Sequence, residues 1–124
     1  MICHIVLFTP KADLSAVVLR SFAQSIVATF RHISSLKKAT VGRAIDIDAG
    51  YERSFGDKTY EFAAVLEFTD RAALLGYLNH PLHKELGALF WRHCEATVIL
   101  EIEATDAKSD DAVELLLSAR PPAP

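Results

Sequence analysis

The sequence lacks most of the features that would place it in a specialised class of protein. It has only two cysteines, Cys3 and Cys94, which are too few for a disulfide framework and do not form a CxxC pair. No apolar run is long enough to span a bilayer, and the apolar start of the chain lacks the basic segment and cleavage site of a signal peptide. We therefore expect a reducing cytoplasmic location and no membrane partner.

An excess of one charge is also missing. The 13 Lys and Arg residues and 16 Asp and Glu residues give a net charge of −3, without a basic block. Proteins that bind DNA or RNA usually carry a basic patch, so we expect no nucleic-acid partner. The chain has no glycine-rich phosphate loop, GxSxG motif or Ser-His-Asp pattern. Nothing in these motifs predicts a cofactor.

The residues that are present predict one folded domain. Apolar residues make up 51% and charged residues 23% of the 124 positions, which is typical of a globular chain with one core. Alternating and four-residue apolar periodicity define the elements. In chain order they are a strand at 2–9, a helix at 14–33, strands at 38–48 and 59–68 around a hairpin loop at 49–57, a helix from 70 that restarts at Pro81, and a strand at 96–104.

This order, β-α-β-β-α-β, predicts an α+β protein of the ferredoxin-like class. Such a domain has a four-stranded antiparallel sheet with its helices on one face. The other face here still bears Ile, Val and Ala side chains, and a stable monomer seldom leaves such a surface in water. We therefore expect a homodimer, formed by symmetric packing of two sheets.

The chain changes character after residue 104. We assign residues 1–104 to the domain and 105–124 to a C-terminal tail. The tail begins with polar and acidic residues, and its leucines then favour a short helix that Ser109 or Asp110 caps and that Pro121-Pro122 stops. Two alternatives remain open at this point: the leucines pack on the partner protomer, or the tail is frayed.

One segment is specific enough to suggest a family. It is Tyr77-Leu78-Asn79-His80-Pro81-Leu82-His83, which has the form Y-x-x-H-P-x-H. With His4 to Phe8, Val41 to Arg43, and Tyr60 to Phe68, this segment resembles the stress-responsive A/B barrel domain family, over residues 2–103. The resemblance implies a dimeric α/β barrel built from two ferredoxin-like protomers.

The family's biochemical roles are poorly defined, but it includes a plant polyketide cyclase that performs an aldol condensation without a cofactor. The resemblance implies that Tyr77 and His83 match the catalytic Tyr–His pair of that cyclase. It also implies that His4 lines the ligand pocket. Phe62 stands where the cyclase has a further pocket histidine, so the chain departs from the cyclase's set of pocket residues at this position.

The chemistry of these residues agrees with such roles. His83 can act as a general base near neutral pH, and Tyr77 can donate a hydrogen bond to a developing oxyanion. Trp91 and Phe62 can wall an apolar ligand cavity. The structural alternatives are a histidine that packs at a helix start and aromatic residues that fill the core.

Other polar residues carry weaker signals. His80 and His83 lie three apart, but no carboxylate or cysteine cluster completes a ligand set, so we expect no metal site. His32 and His93 are interpreted as surface or helix-end residues. The strand carboxylates are interpreted as a rim or a solvated edge; they are Glu61, Glu67, Glu101 and Glu103.

Three functions follow as hypotheses. The first is a protein that binds a small apolar or aromatic metabolite in a pocket of each protomer. The second is a cofactor-free cyclase, isomerase or lyase that uses a histidine base. The third is a structural, oligomeric stress-protein module. The sequence leaves binding and catalysis both open.

Overall fold

The computed structural model describes residues 1–48, 50 and 60–118. The elements are β1 Ile2–Pro10, α1 Ala16–His32, β2 Lys38–Arg43, β3 Phe62–Phe68, α2 Arg71–Leu78, α3 Pro81–His93, β4 Cys94–Glu103 and α4 Asp111–Ser118. Their order confirms the predicted β-α-β-β-α-β arrangement, with the second helix in two pieces. The expected hairpin loop at 49–57, apart from Gly50, and the Pro121-Pro122 stop lie outside the described residues.

The four strands form one antiparallel sheet in the order β2-β3-β1-β4, as in the ferredoxin-like fold. In β1, Ile5 lies between Val65 of β3 and Leu100 of β4. The same register pairs Cys3 with Ile102 and Pro10 with Cys94, so the two thiols lie at opposite ends of the sheet. Both cysteines are free, and burial raises the pKa of each thiol.

The second strand is shorter than its apolar alternation predicts. It ends at Arg43, which pairs with Phe62, the first residue of β3. Ile45 and Ile47 continue the alternating pattern but are 73% and 58% exposed. The strand prediction over 38–48 was therefore wrong beyond Arg43, because alternation makes a strand only where a neighbouring strand continues the ladder.

The hydrophobic core lies between one face of the sheet and the helices. Phe68 and Leu66 of β3 are fully buried, and Phe22 and Ile26 of α1 pack over the same face. The Ser15 hydroxyl oxygen accepts a hydrogen bond from the Val18 amide and so begins α1. The buried residues of β3 alternate along the strand as Ala64, Leu66 and Phe68, which is the pattern of a strand with one face on the core.

The break between α2 and α3 occurs where the proline predicts it. The Asp70 carboxylate accepts a hydrogen bond of 2.8 Å from the Ala73 amide and begins α2, which ends at Leu78 with Asn79 as its C-cap. Pro81 occupies the first turn of α3, where its missing N–H is tolerated. The His80 Nδ1 atom caps α3 by accepting from the Leu82 amide at 3.1 Å. This break places Tyr77 and His83 on either side of a sharp turn.

The opposite face of the sheet carries no helix among the described residues. Its side chains are mostly apolar, and those of β4 are well exposed: Val98 at 42%, Leu100 at 53% and Ile102 at 37%. We call this surface the open sheet face. Its exposure agrees with the alternation of β4, which puts these three residues on the sheet face that points away from the helices.

The tail contains α4, which is only partly covered. Ala112 and Leu115 are half-buried, and Leu115 lies beside Met1 near the start of β1. Val113, Leu116 and Leu117 are exposed. Within the residues that the structure describes, no helix has the length and apolar character needed to cross a membrane.

Candidate functional site

Four polar side chains meet between the sheet and the α2–α3 turn. They are His4, Tyr77, His83 and Glu101, and we call them the His–Tyr cluster. The ring centroids of Tyr77 and His83 are 4.6 Å apart. The ring centroid of His4 lies 5.7 Å from that of Tyr77 and 6.4 Å from that of His83. The His4 Nδ1 atom is 2.6 Å from the Glu101 Oε1 atom. The three residues suggested by sequence are therefore neighbours in space.

Each member of the cluster reaches it from a different element. His4 lies on the helix-facing side of β1 and is 3% exposed. Tyr77 lies in the last turn of α2, is buried, and contacts Phe68 with ring centroids 5.3 Å apart. His83 lies in the first turn of α3. Core packing under the α2–α3 turn thus holds the rings in place.

Glu101 is the residue that sequence reasoning missed. It was interpreted as part of a solvated rim, but the register of β1 and β4 pairs it directly with His4. The two residues therefore project from the same face of neighbouring strands. The signal was present in the alternation of both strands, since His4 and Glu101 each fall on the face that bears the helices.

Hydrogen bonds assign the histidine tautomers. The Nδ1–H of His83 donates to the Leu78 carbonyl oxygen at 3.0 Å, which leaves Nε2 with the free lone pair. The Nδ1–H of His4 donates to the Glu101 carboxylate at 2.6 Å. The cluster therefore holds two imidazoles, one beside a carboxylate and one beside a carbonyl.

The local environment keeps His83 and Tyr77 uncharged. Burial lowers the pKa of His83, and the nearby His4 adds to this effect, although the bond to the Leu78 carbonyl opposes it. Burial raises the pKa of the Tyr77 phenol, so the hydroxyl stays protonated. A neutral imidazole and a protonated phenol are the forms needed to accept a proton and to donate a hydrogen bond.

The shifted pKa of His83 predicts how stability depends on pH. Its folded-state pKa lies below the ordinary value of 6.5, so below that pH the unfolded chain binds the proton more readily. We expect the free energy of unfolding to fall as the pH drops below 6.5 towards the folded-state pKa, and to fall less in His83→Gln. Urea unfolding at a series of pH values measures this difference.

His32→Gln is the matched control for this experiment, because His32 is exposed at the end of α1. Its pH dependence is expected to follow that of the unsubstituted protein. An equally steep fall of stability in His83→Gln would show that His83 is not the group that titrates.

A groove of about 570 Å³ lies between α3 and β4, on the helix-facing side of the sheet. This volume is within the range of small-molecule sites. We call it the α3–β4 groove. Its lining is mainly apolar: Val6, Gly87, Phe90, Trp91, Cys94, Glu95, Ala96, Thr97 and Ile99.

None of the four residues of the His–Tyr cluster is among the described residues that line this groove, but three of them lie a few positions from residues that do. His4 precedes Val6 by two residues on one face of β1, and Glu101 follows Ile99 by two on the same face of β4. His83 lies one helical turn before Gly87. The cluster and the groove are therefore connected through neighbouring residues of β1, β4 and α3.

The aromatic residues suggested for ligand binding are placed differently from one another. Trp91 lines the groove and is 88% exposed, so a ligand there would cover its indole. Phe62 packs against Phe8 with ring centroids 5.5 Å apart, and it is not among the groove-lining residues. Phe90 also lines the groove and contacts Phe8, with ring centroids 4.9 Å apart.

The remaining polar residues lie outside the cluster. The His32 ring donates to the Ala28 carbonyl oxygen at the end of α1, and His93 ends α3 beside Phe22. Glu103 pairs with Arg71 at 3.0 Å on the surface. Among the residues described by the structure, no group of three or more His, Cys, Asp or Glu is arranged to hold a metal ion.

Comparison with known proteins places this geometry in context. The model of the stress-responsive A/B barrel domain, Dabb, matches residues 2–104. No curated protein sequence matches the chain. A Dabb family protein of Mesorhizobium loti with a ferredoxin-like fold is 23% identical, with a TM-score of 0.65 over 85% of this chain and 97% of that one.

Two further solved structures extend the comparison. A dimeric protein of Bacteroides fragilis, of unknown function and ferredoxin-like fold, is 26% identical, with a TM-score of 0.60 over 83% of this chain and 95% of that one. A hydroxynitrile lyase from Passiflora edulis is 22% identical, with a TM-score of 0.68 over 85% of this chain and 95% of that one. These similarities show the fold, and they show that proteins of this fold form dimers.

Proposed function

The chain belongs to the stress-responsive A/B barrel domain family, and from this premise we propose that it binds a small, largely apolar or aromatic molecule in the α3–β4 groove of each protomer. The observation that carries the proposal is an apolar groove whose lining residues Val6, Ile99 and Gly87 lie two to four positions from residues of the His–Tyr cluster on the same elements. Ligand sites typically combine an apolar wall with a few convergent polar groups. The apolar wall binds the body of the ligand, and the cluster hydrogen-bonds its polar end.

Gly87 offers a direct test of this site. A Cβ atom built at Gly87 would meet no atom within 4 Å, so a larger side chain there extends into the groove without a clash. We expect Gly87→Leu to weaken binding of the aromatic probe 2-naphthamide by at least about tenfold, which is about 1.4 kcal/mol. The chain has a single tryptophan, Trp91, so its indole N–H signal in NMR spectra reports the titration.

The same substitution should not destabilise the protein. Gly87 lies inside α3, and replacing a helical glycine with leucine favours the helix by roughly 0.5–1 kcal/mol. Gly76→Ala is the matched control: it lies in α2, its Cβ would make an ordinary contact of 3.8 Å with the Ser35 Oγ atom, and it leaves the groove unchanged. Unchanged affinity in Gly87→Leu would place the binding site elsewhere.

We further propose that the protein is a homodimer that packs through the open sheet face. The exposed Val98, Leu100 and Ile102 of β4 continue across the sheet to the half-buried Ile5 and Val65. Association of two such faces removes this apolar surface from water. The dimeric relatives of the same fold support this arrangement.

A second candidate function is cofactor-free acid–base catalysis, which the tautomers of the cluster favour. The free Nε2 atom of His83 can accept a proton from a carbon next to a carbonyl group, and the Tyr77 hydroxyl can donate a hydrogen bond to the enolate oxygen that forms. The His4–Glu101 pair can hold or return a proton. Enzyme activity occurs on this fold in the Passiflora lyase.

A further inference from the structure

We propose that the α3–β4 groove selects uncharged or cationic aromatic molecules against anionic ones, and that Glu95 sets this preference. The inference rests on the proposed function, because it names the class of ligand that the same groove accepts. It follows from the charges of the described residues that line the groove.

The described lining of the groove is almost free of charge. Among the described residues that line it, Glu95 is the one charged side chain, and none is a lysine or arginine. The described basic residues nearest along the chain are Arg92, next to Trp91, and Lys11, whose amide donates to the His93 carbonyl. Neither is part of the lining. A carboxylate or phosphate in the groove would therefore have no cationic partner among the described lining residues.

The three carboxylates of β4 have different partners. Glu101 is paired with His4 at 2.6 Å, and Glu103 with Arg71 at 3.0 Å. Glu95 lies where the pairing of β4 with β1 is irregular, has no ion pair with any of the described residues and is exposed. The carboxylate of the His–Tyr cluster is thus paired, whereas the Glu95 carboxylate in the groove lining has no positive partner among the described residues.

Trp91 strengthens the preference for cationic ligands near Glu95. Its indole lines the same groove as the Glu95 carboxylate, and aromatic faces attract cations. An ammonium group there meets a carboxylate and a π-system, whereas a carboxylate meets repulsion from Glu95. Because Glu95 is exposed to water, we expect a difference of roughly three- to tenfold in affinity at low salt.

Three probes of nearly the same shape test the inference: 2-naphthoate, 2-naphthamide and 2-naphthylmethylammonium. We expect the amide and the ammonium compound to bind more tightly than the carboxylate by roughly three- to tenfold at low salt, with a smaller difference at 1 M salt. Glu95→Gln is expected to reduce the difference to less than about twofold. Titrations followed by the Trp91 indole signal give the three dissociation constants.

Glu85→Gln is the control, because it makes the same change of charge on α3 at a residue outside the groove lining. It is expected to keep the preference. If none of the probes binds, the proposed binding function fails. If all three bind equally, or the carboxylate binds most tightly, the groove binds ligands but the charge preference is wrong. A preference that is unchanged in Glu95→Gln overturns the assignment to Glu95.

Discussion

Leu100→Asp is expected to convert the dimer to monomers. Leu100 is 53% exposed in the protomer and lies next to Ile5 on the open sheet face, so the proposed dimer buries it between two sheets. An aspartate there would bring two carboxylates into an apolar interface by symmetry, at a cost of several kcal/mol. Light scattering after size exclusion should show the mass fall from twice 13.7 kDa to 13.7 kDa.

Leu75→Asp is a closely matched control. Leu75 is 55% exposed, almost the same as Leu100, but it lies on α2 and away from the open sheet face. This variant is expected to keep the mass of the unsubstituted protein. The circular dichroism of Leu100→Asp should remain that of a folded α+β chain. A folded Leu100→Asp protein that keeps the dimer mass would show that the open sheet face is not the interface.

The second large effect is expected at His83. If the cluster moves protons, the protein should accelerate the exchange of the α-protons of an aromatic ketone such as 2-tetralone for deuterium in heavy water. His83→Gln is expected to reduce this acceleration by about 10²- to 10⁴-fold, the usual contribution of a general base. Tyr77→Phe should also reduce it, because the enolate oxygen loses its hydrogen-bond donor. Proton NMR of the ketone measures the rate.

The His4–Glu101 pair separates binding from catalysis in the same assay. Glu101→Gln keeps the shape of the side chain but removes the negative charge beside the His4 ring. We expect it to slow exchange while 2-naphthamide still binds in the groove. His32→Gln, on the surface of α1, should leave the rate unchanged. No exchange above the buffer rate, together with normal probe binding, would leave a binding protein without this activity.

Local patterns predicted much of this architecture because they reflect local physics. The four-residue apolar stripe of α1 and the inward alternation of β3 each follow from the geometry of a single element. Pro81 lacks the N–H that a helix interior needs, so the chain breaks at Asn79 and His80 as expected. The resemblance added Tyr77 and His83, which lie on either side of that break.

Other features depended on strands that are distant in the chain. Glu101 was interpreted as a solvated residue because alternation shows which face a residue occupies but not which residue stands opposite. Its partner His4 is 97 positions away, and only the β1–β4 register pairs them. The length of β2 was also decided by its neighbour, since within the described part of the chain β3 begins at Phe62 and its ladder with β2 ends at Arg43.

By itself, the sequence determined the order of the elements, the faces that α1 and β3 bury and the turn that carries Tyr77 and His83. Propensity, periodicity and proline geometry act over a few residues, and a single chain shows them. The tertiary structure decided that His4 contacts Glu101 and that an apolar groove lies between α3 and β4. It also left Glu95 without an ion pair among the described residues. These features come from packing between distant segments, where register and side-chain volume determine which groups meet.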